Sequence, residues 1–265
     1  MSTPVTDVTA DSQALTRASS ALGRAVLRPV SGQTRSETIA SRITDAIVLG
    51  VFDPAQQLPS ESALSEVFGV APMTVREALT SLRERGLIVT RRGRRGGSFV
   101  SEGGVEDAFR SADRLDLRGV TELAEHQMAI VGRCAVLAAE RASASELVAL
   151  TAAIGEFGIT DGPLAAAQSE SRIFVHLARA SQSTRLTREA IALQTEWIPC
   201  AARALNLPEA GSSHTLTGLR ALETAVRTRE AQAARSLVDD HFHAVCRVLT
   251  EHELRSLGSA GERHD

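Results

Sequence analysis

Lysine and tyrosine are absent from this 265-residue chain, and other aromatics are scarce: seven Phe and one Trp. A core so poor in rings must be built from Leu, Val, Ile and Ala. That favours packed helices over a sandwich or barrel, whose strands draw on aromatic and β-branched residues. With no Lys, all 29 basic residues are Arg. GC-rich coding is the plain origin of that bias, yet every such cation is then a planar fork suited to phosphate oxygens and guanine edges. Cysteine is limited to Cys134, Cys200 and Cys246, odd in number and far apart. No CxxC spacing occurs, so neither a zinc ribbon nor a disulfide framework is indicated, and the three read as reduced thiols of an intracellular protein. No apolar run approaches the roughly 20 residues of a membrane span. The opening MSTPVTDVTADSQALTRASS lacks the charged-then-apolar order of a signal peptide. The expectation is a cytoplasmic protein with no membrane partner.

Catalytic signatures are missing too. There is no GxSxG, no HExxH, and no glycine loop in the strand-to-helix setting that cradles phosphate. An enzyme would have to rest on Glu170 and His241 as acid and base, with nothing else in support, so the chain is read as a non-enzyme.

What is present is an uneven charge. The whole chain carries a formal −3, but residues 35–100 hold nine Arg against seven acids, and residues 101–265 hold 17 Arg against 23 acids. Within 83–95 six Arg face Glu84 alone. Arg91, Arg92, Arg94 and Arg95 crowd one glycine-rich turn, where they repel each other and stabilise no fold of their own. They read either as a solvated loop or as the contact for an anionic partner.

Residues 1–34, rich in Ser, Thr and Ala, read as a disordered arm with a short helix near Ala14–Leu27. Ile39, Ile43 and Ile47 then recur every fourth residue, the period of one helix face, which Gly50 closes. Asp53-Pro54 signals a turn. Ser60 is a good N-cap for a short helix buried through Leu64 and Phe68, and Gly69 supplies the next turn. Pro72 suits the first position of a third helix, with Val75, Leu79 and Leu82 inward and Gly86 ending it. Leu87–Thr90 and Ser98–Val100 are strand-like around the Arg/Gly turn. Three short helices and a hairpin make a winged helix-turn-helix over 35–100. A linker follows over 101–114, marked by Gly103-Gly104. From about Leu115 the pattern is helical throughout, with candidates at 119–142, 145–157, 164–180, 184–205, 215–228 and 230–256. Breaks are expected at Gly158, Asp161-Gly162-Pro163, Pro208 and Gly211, and Ser145 is a plausible N-cap. Thr228-Arg-Glu-Ala marks a tight joint, and 257–265 reads as a disordered tail. The fold class is therefore mainly α: a winged head joined to an all-helical bundle over 115–256.

At this point QQLPSESALSEVFGVAPMTVREALTSLRERGLI, with the glycine-rich wing after it, resembles the GntR family of bacterial transcription regulators. The Leu-Pro-Ser-Glu run before the second helix and Thr-Val-Arg-Glu-Ala-Leu in the third are the most specific features. AVLAAERASASELVAL, ARASQSTRL and AQAARSLVDDHFHAV are similar to the helical ligand-sensing (FCD-type) domain of its FadR subfamily. The resemblance implies a homodimeric repressor or activator on a palindromic double-stranded operator, with a small-molecule effector and dimer contacts in the helical domain. One recognition helix per subunit would enter the major groove, and the wings would reach the adjacent minor groove. On this sequence the implied DNA contacts are Ser60, Glu61 and Ser62, then Met73, Thr74 and Arg76, then Arg91, Arg92, Gly93, Arg94 and Arg95. Arg76 suits a guanine edge or a phosphate, Thr74 a phosphate, and Met73 a thymine methyl. The arginine turn suits a narrow minor groove.

The chain departs from that pattern at several positions. Ala71-Pro72 stand where the family commonly has Ser-Arg, and Ser62 stands where an Arg often follows Ser-Glu, so a different operator and a larger wing contribution are expected. Many members hold a divalent metal through an Asp, a His four residues on, and two later His. Those positions fall on Glu170, Phe174, Leu219 and His241, and an expected Arg and Glu fall on Gln127 and Val131. Phe174 and Leu219 cannot ligate. The resemblance, so altered, implies a metal-free, cofactor-free pocket of apolar character, with Gln127, Glu170, Phe174, Leu219 and His241 as effector-binding residues. Alternatives stand beside each part. His241 and His243, next to Asp239 and Asp240, are equally an exposed polar face. Trp197, near Pro199, reads as packing at a helix kink or as a surface for an effector to stack on. A metal could be recruited through His176 or His214 together with Glu170 and His241. In another class, a helical enzyme or binding protein would use the winged head for protein contacts.

Overall fold

Thr34 and Glu37 begin the ordered chain with a reciprocal cap: the Glu37 amide donates to Thr34 Oγ1 at 3.2 Å, and the Thr34 amide donates to Glu37 Oε2 at 2.6 Å. The structure is a computed structural model that describes residues 34–92, 96–103, 116–207 and 212–261. The expected arm with its helix near Ala14–Leu27, most of the linker, Gly93, Arg94, Arg95, Pro208 and Gly211 lie outside those residues. So does the end of the expected tail.

The capped helix is α1 (Arg35–Val48), and it buries Ile39, Ile43 and Ile47 as their spacing predicts. Ser60 Oγ accepts the Ala63 amide and so caps α2 (Glu61–Phe68), which ends at Gly69 in the left-handed region. Pro72 opens α3 (Pro72–Glu84), whose Val75, Ala78, Leu79 and Leu82 are buried. Strands β1 (Ile88–Arg91) and β2 (Gly97–Val100) pair antiparallel, with Ile88 opposite Val100 and Arg91 opposite Gly97. One pairing has no patterning in the sequence. The segment after Pro54 lies along β2: Ala55 N donates to Val100 O, Val100 N to Gln56 O and Leu58 N to Ser98 O. The wing is thereby fastened to the α1–α2 connection as well as to α3. The head has its own core, in which burying a side chain such as Leu79 or Ile88 contributes about 1.5–3 kcal/mol.

The second part is helical: α4 (Leu117–Arg141), α5 (Ala144–Phe157), α6 (Pro163–Ala180), α7 (Thr184–Leu205), α8 (Ser212–Arg227) and α9 (Ala231–Gly261). Helix α4 lies against α6, α7 and α9, and α6 lies between α5 and α7. Trp197, Phe174 and Phe242 are the largest side chains fully buried there. The fold class is thus the predicted one, and its boundaries shift in places. The N-cap of α5 is Ser143, not Ser145, because Glu146 stands three residues after Ser143 and closes a capping box with it. Helix α8 starts three residues before the expected 215. Helix α9 runs on to Gly261, past the expected end at 256. Helix α7 keeps the expected span, 184–205, with Pro199 inside it. The tight joint at 228–230 exists as expected, with Arg229 at φ 67°. Its guanidinium donates to Ala139 O and Ala142 O, satisfying carbonyls at the end of α4.

Two parts of the chain meet at the end of α1. A helix leaves its last four carbonyls without intrahelical partners. Gly50, at φ 67°, lets its own amide donate to Ile47 O and the Val51 amide to Ala46 O, which settles two of them. The remaining two are met from α6: Gln168 Nε2 donates to Val48 O at 2.9 Å and Arg172 Nη1 to Leu49 O at 3.0 Å. Gly50 also permits the approach, since a Cβ there would sit 3.1 Å from both Arg172 Nη1 and Gln168 Oε1. Val48 and Leu49 accordingly belong to the apolar core of the helical part.

Candidate nucleic-acid interface and effector pocket

The candidate recognition residues Ser60, Glu61, Ser62, Met73, Thr74 and Arg76 lie at the N-terminal turns of α2 and α3. Ser60 spends its hydroxyl on its own helix cap. Glu61 accepts from Arg76 Nη2 at 3.0 Å and Nε at 3.2 Å, although both side chains are open to solvent, at 40% and 58% exposure. Thr80 donates its hydroxyl to the Arg76 carbonyl. An ion pair this exposed stabilises by about 0–1 kcal/mol, so it orients the guanidinium and gives it up at little cost. Met73 projects into solvent at 60% exposure, Ser62 is exposed and Thr74 half-buried. Ala71 offers α3 no side-chain cap, so the first turn keeps the partial positive charge that suits an anion.

The wing stands beside this face. Arg91 lays its guanidinium over the Phe99 ring at 4.6 Å, which fixes one arginine on the strand, and Arg92 follows it exposed. Gly93, Arg94 and Arg95 fall outside the described residues. Two residues that sequence reasoning passes over brace the wing. Arg83 donates to Thr80 Oγ1 at 2.8 Å and Thr90 Oγ1 at 3.0 Å, tying α3 to β1. Gln57 Nε2 donates to Gly96 O at 3.2 Å. Arg83 has a signal in retrospect: it lies on the turn of α3 after Thr80, facing the strand that must follow Gly86.

In the helical part, α6 brings Glu170 against His241 of α9, with Oε1 and Nε2 3.5 Å apart. Glu170 is 2% exposed, and the His241 side chain 13%. Beside them a cavity of about 450 Å³ opens between α6, α7, α8 and α9. Phe174 completes this cluster from behind. Its ring lies 4.9 Å from the His241 ring and 5.3 Å from Phe242, which Trp197 meets edge-on. Trp197 is therefore packed inside the bundle. The structure thus brings Glu170, Phe174 and His241 together, with Glu170 and His241 on the cavity wall. Gln127 and Leu219 are buried without lining it. Gln127 donates to Leu193 O and accepts from Gln194 Nε2, a polar bridge between α4 and α7. His176 lies elsewhere on α6. Burial, then Arg179, pushes its pKa down, with Glu156 opposing.

The divalent metal held by many proteins of this type does not fit these residues. Phe174 and Leu219 present hydrocarbon where imidazoles would be needed, and Glu170 with His241 makes two donors. Among the described residues no three His, Cys, Asp or Glu side chains converge.

Comparison with known proteins matches both parts. Residues 35–100 match the bacterial regulatory proteins of the gntR family, and residues 122–244 match the FCD domain. RmpR of Mycobacterium gastri, described as an HTH-type transcriptional regulator, is 35% identical over 219 residues, covering 78% of this chain and 77% of its own. An HTH-type regulator of Mycobacterium tuberculosis is 32% identical over 230 residues, covering 83% and 91%. The transcriptional repressor NagR of Bacillus subtilis is 37% identical over 87 residues, 31% of this chain and 35% of its own. Among solved structures, the GntR of Streptococcus agalactiae is 24% identical and covers 80% of this chain and 99% of its own, with a TM-score of 0.43. No helix among the described residues is long and apolar enough to cross a membrane. The chain belongs to the GntR family of bacterial regulatory proteins, a DNA-binding transcriptional regulator with an FCD domain and not an enzyme.

Proposed function

We propose that this regulator is a cytoplasmic homodimeric repressor of the FadR type. It would bind a palindromic operator through α3 and the wing, and release it when a small molecule enters the FCD domain without a metal. The division of labour would follow the two matched regions, with 35–100 as the head and the helical part serving both effector binding and dimer contacts. Ser60, Glu61, Ser62, Met73, Thr74 and Arg76 would face the major groove, and Arg91 to Arg95 the minor groove and its phosphates.

The observation that carries this reading is the arrangement of α6. Glu170 and Phe174 lie one turn apart on the face toward the cavity and its aromatic cluster. Gln168 and Arg172 lie one turn apart on the other side, where they finish α1 of the head. Two residues along a helix is a rotation of about 200°. A ligand that moves or stiffens α6 therefore acts on the head through two hydrogen bonds and a buried apolar seam, and its differential affinity for two positions of α6 sets the change in operator affinity. The sign, repression, follows the naming of relatives such as NagR.

Selection of genomic fragments by the purified protein, with Arg76→Ala beside it, tests the reading. Enrichment of a short palindrome by the wild type alone supports it. Equal binding of every fragment by both proteins, abolished by salt, would reduce the arginines to a non-specific electrostatic surface.

A further inference from the structure

Beyond its base the wing has no side chain in the core of the head. On β1 Ile88 is buried while Val89, Thr90 and Arg91 are exposed, and on β2 it is Val100, opposite Ile88, that is buried. A two-stranded hairpin is at best marginally stable alone in water, so the direction of its outer part is set by what its neighbours impose. From Ile88 to Arg91 the strand runs about 10 Å. A rotation of about 10° at Ile88 would carry Arg91 by about 2 Å, a third of the width of a minor groove of about 6 Å.

Two side chains from outside the hairpin reach this outer part. Arg83, in the last turn of α3, spreads its guanidinium between two threonine hydroxyls: Nη2 donates to Thr80 Oγ1 at 2.8 Å and Nη1 to Thr90 Oγ1 at 3.0 Å. Thr80 gives its own proton to the carbonyl of Arg76, which leaves its oxygen as the acceptor, so the fork joins the recognition helix to β1. Gln57 comes from the α1–α2 connection, bridges to Phe99 and donates Nε2 to Gly96 O at the entry to β2. Gly97 makes room for it, since a Cβ there would stand 2.5 Å from Gln57 Nε2. These bonds lie at the surface and add little to stability; what they fix is an angle.

We infer that Arg83 and Gln57 are positioning residues that aim Arg91 and Arg92 at the minor groove beside the bases read by α3. They thereby set how strictly the regulator discriminates the width of that groove, and neither acts by touching DNA. This rests on the proposed contact of the wing with the minor groove, and it names what holds that contact in place.

The test uses the full-length protein and the operator recovered by fragment selection, in two duplexes that differ only in the flank under the wing. One flank is an A-tract, whose minor groove is narrow, and the other is a mixed G·C sequence. Anisotropy titrations give the ratio of the two affinities, which a smaller fraction of folded protein does not change. The wild type is expected to favour the A-tract by at least about fivefold. Arg83→Met and Thr90→Val should each cut that ratio by about threefold or more, the worth of one hydrogen bond, with the preference at the bases under α3 unchanged. The two together should do no more than Arg83→Met, whereas Gln57→Met should act independently of them. Thr90→Ser keeps the hydroxyl and should keep the ratio. Thr90 is exposed, so Thr90→Val and Thr90→Ser decide the matter even if Arg83→Met fails to fold. Equal weakening on both duplexes by Arg83→Met, with Thr90→Val like the wild type, would make Arg83 a direct phosphate contact and overturn its positioning role. A ratio unmoved by Gln57→Met would do the same for Gln57. A wild type indifferent to the flank would overturn the inference, and would leave the wing contact standing if replacing Arg91, Arg92, Arg94 and Arg95 with Ala still weakens binding. Unchanged binding in that fourfold variant would overturn both.

Discussion

Arg172 of the FCD domain donates to the carbonyl of Leu49, the residue that ends the first helix of the DNA-binding head, at 3.0 Å. With Gln168 on the carbonyl of Val48, it completes a helix terminus that the head cannot finish alone. A cation at the C-terminal end of a helix also suits the helix dipole. The two parts are therefore expected to unfold as a coupled pair. Gln168→Ala with Arg172→Ala should leave both folded while removing on the order of 2–3 kcal/mol from that coupling. Scanning calorimetry should show one transition resolving into two, and a single unshifted transition would refute the coupling.

Arg76→Ala should separate recognition from stability. The Arg76–Glu61 pair is exposed, so its loss should change unfolding free energy by less than about 1 kcal/mol. Operator affinity should fall by about 1–3 kcal/mol, with preference relaxed at one base position if the fork reads a guanine. Glu61→Ala frees the guanidinium and removes a carboxylate from the DNA-facing side, so affinity for any sequence should rise while discrimination narrows. Anisotropy titrations against the operator and a scrambled duplex measure both.

Much of this architecture is legible in the sequence because periodicity and capping are local. Ile39, Ile43 and Ile47 announce a buried face, and Gly69, Gly86 and Gly162 sit at positive φ where turns are expected. Ser143 and Ser145 are easily exchanged as caps, because both are serines before a helix and only Ser143 has a glutamate three residues on. What stays hidden is non-local. Nothing in Ala55, Gln56 and Leu58 marks them as an edge beside β2, since backbone pairing needs no side-chain pattern. Nothing in Gln168, Arg172 or Arg229 marks them as caps for helices 87 to 123 residues away. In the pocket, the pairing of Glu170 with His241 can be anticipated by alignment alone. The withdrawal of Gln127 and Leu219 from the cavity cannot, because it depends on how α4 and α8 are rotated in the bundle.

The wing should govern the salt dependence of binding. Replacing Arg91, Arg92, Arg94 and Arg95 with Ala should lower the slope of log affinity against log salt by about one for each phosphate that is no longer neutralised. Arg91→Ala alone should do less than Arg92→Ala, because Arg91 already has a partner in the Phe99 ring. Binding isotherms between low and physiological salt decide this, and an unchanged slope in the fourfold variant would place the wing off the DNA.

Cys134 offers a check on the helical core that does not depend on any ligand. It is fully buried on α4, and burial pushes its thiol up from about 9.0 to about 11, against a smaller lowering by a hydrogen bond with Ser181. At pH 8 the folded protein then holds about one part in a thousand as thiolate, roughly a hundredfold below an exposed thiol. A disulfide reagent should modify Cys134 only as fast as the chain unfolds, and peptide mapping of the labelled protein would show it. The same shift fixes the sign of the pH response. The folded state keeps a proton that the unfolded chain gives up first, so this contribution to stability is whole below pH 9 and is lost as pH rises toward 11. Denaturant titrations at pH 8, 9.5 and 11 on the wild type and Cys134→Ala should converge as pH rises. Labelling of Cys134 in the folded state at the rate of a peptide thiol would contradict the packing of α4 in the bundle.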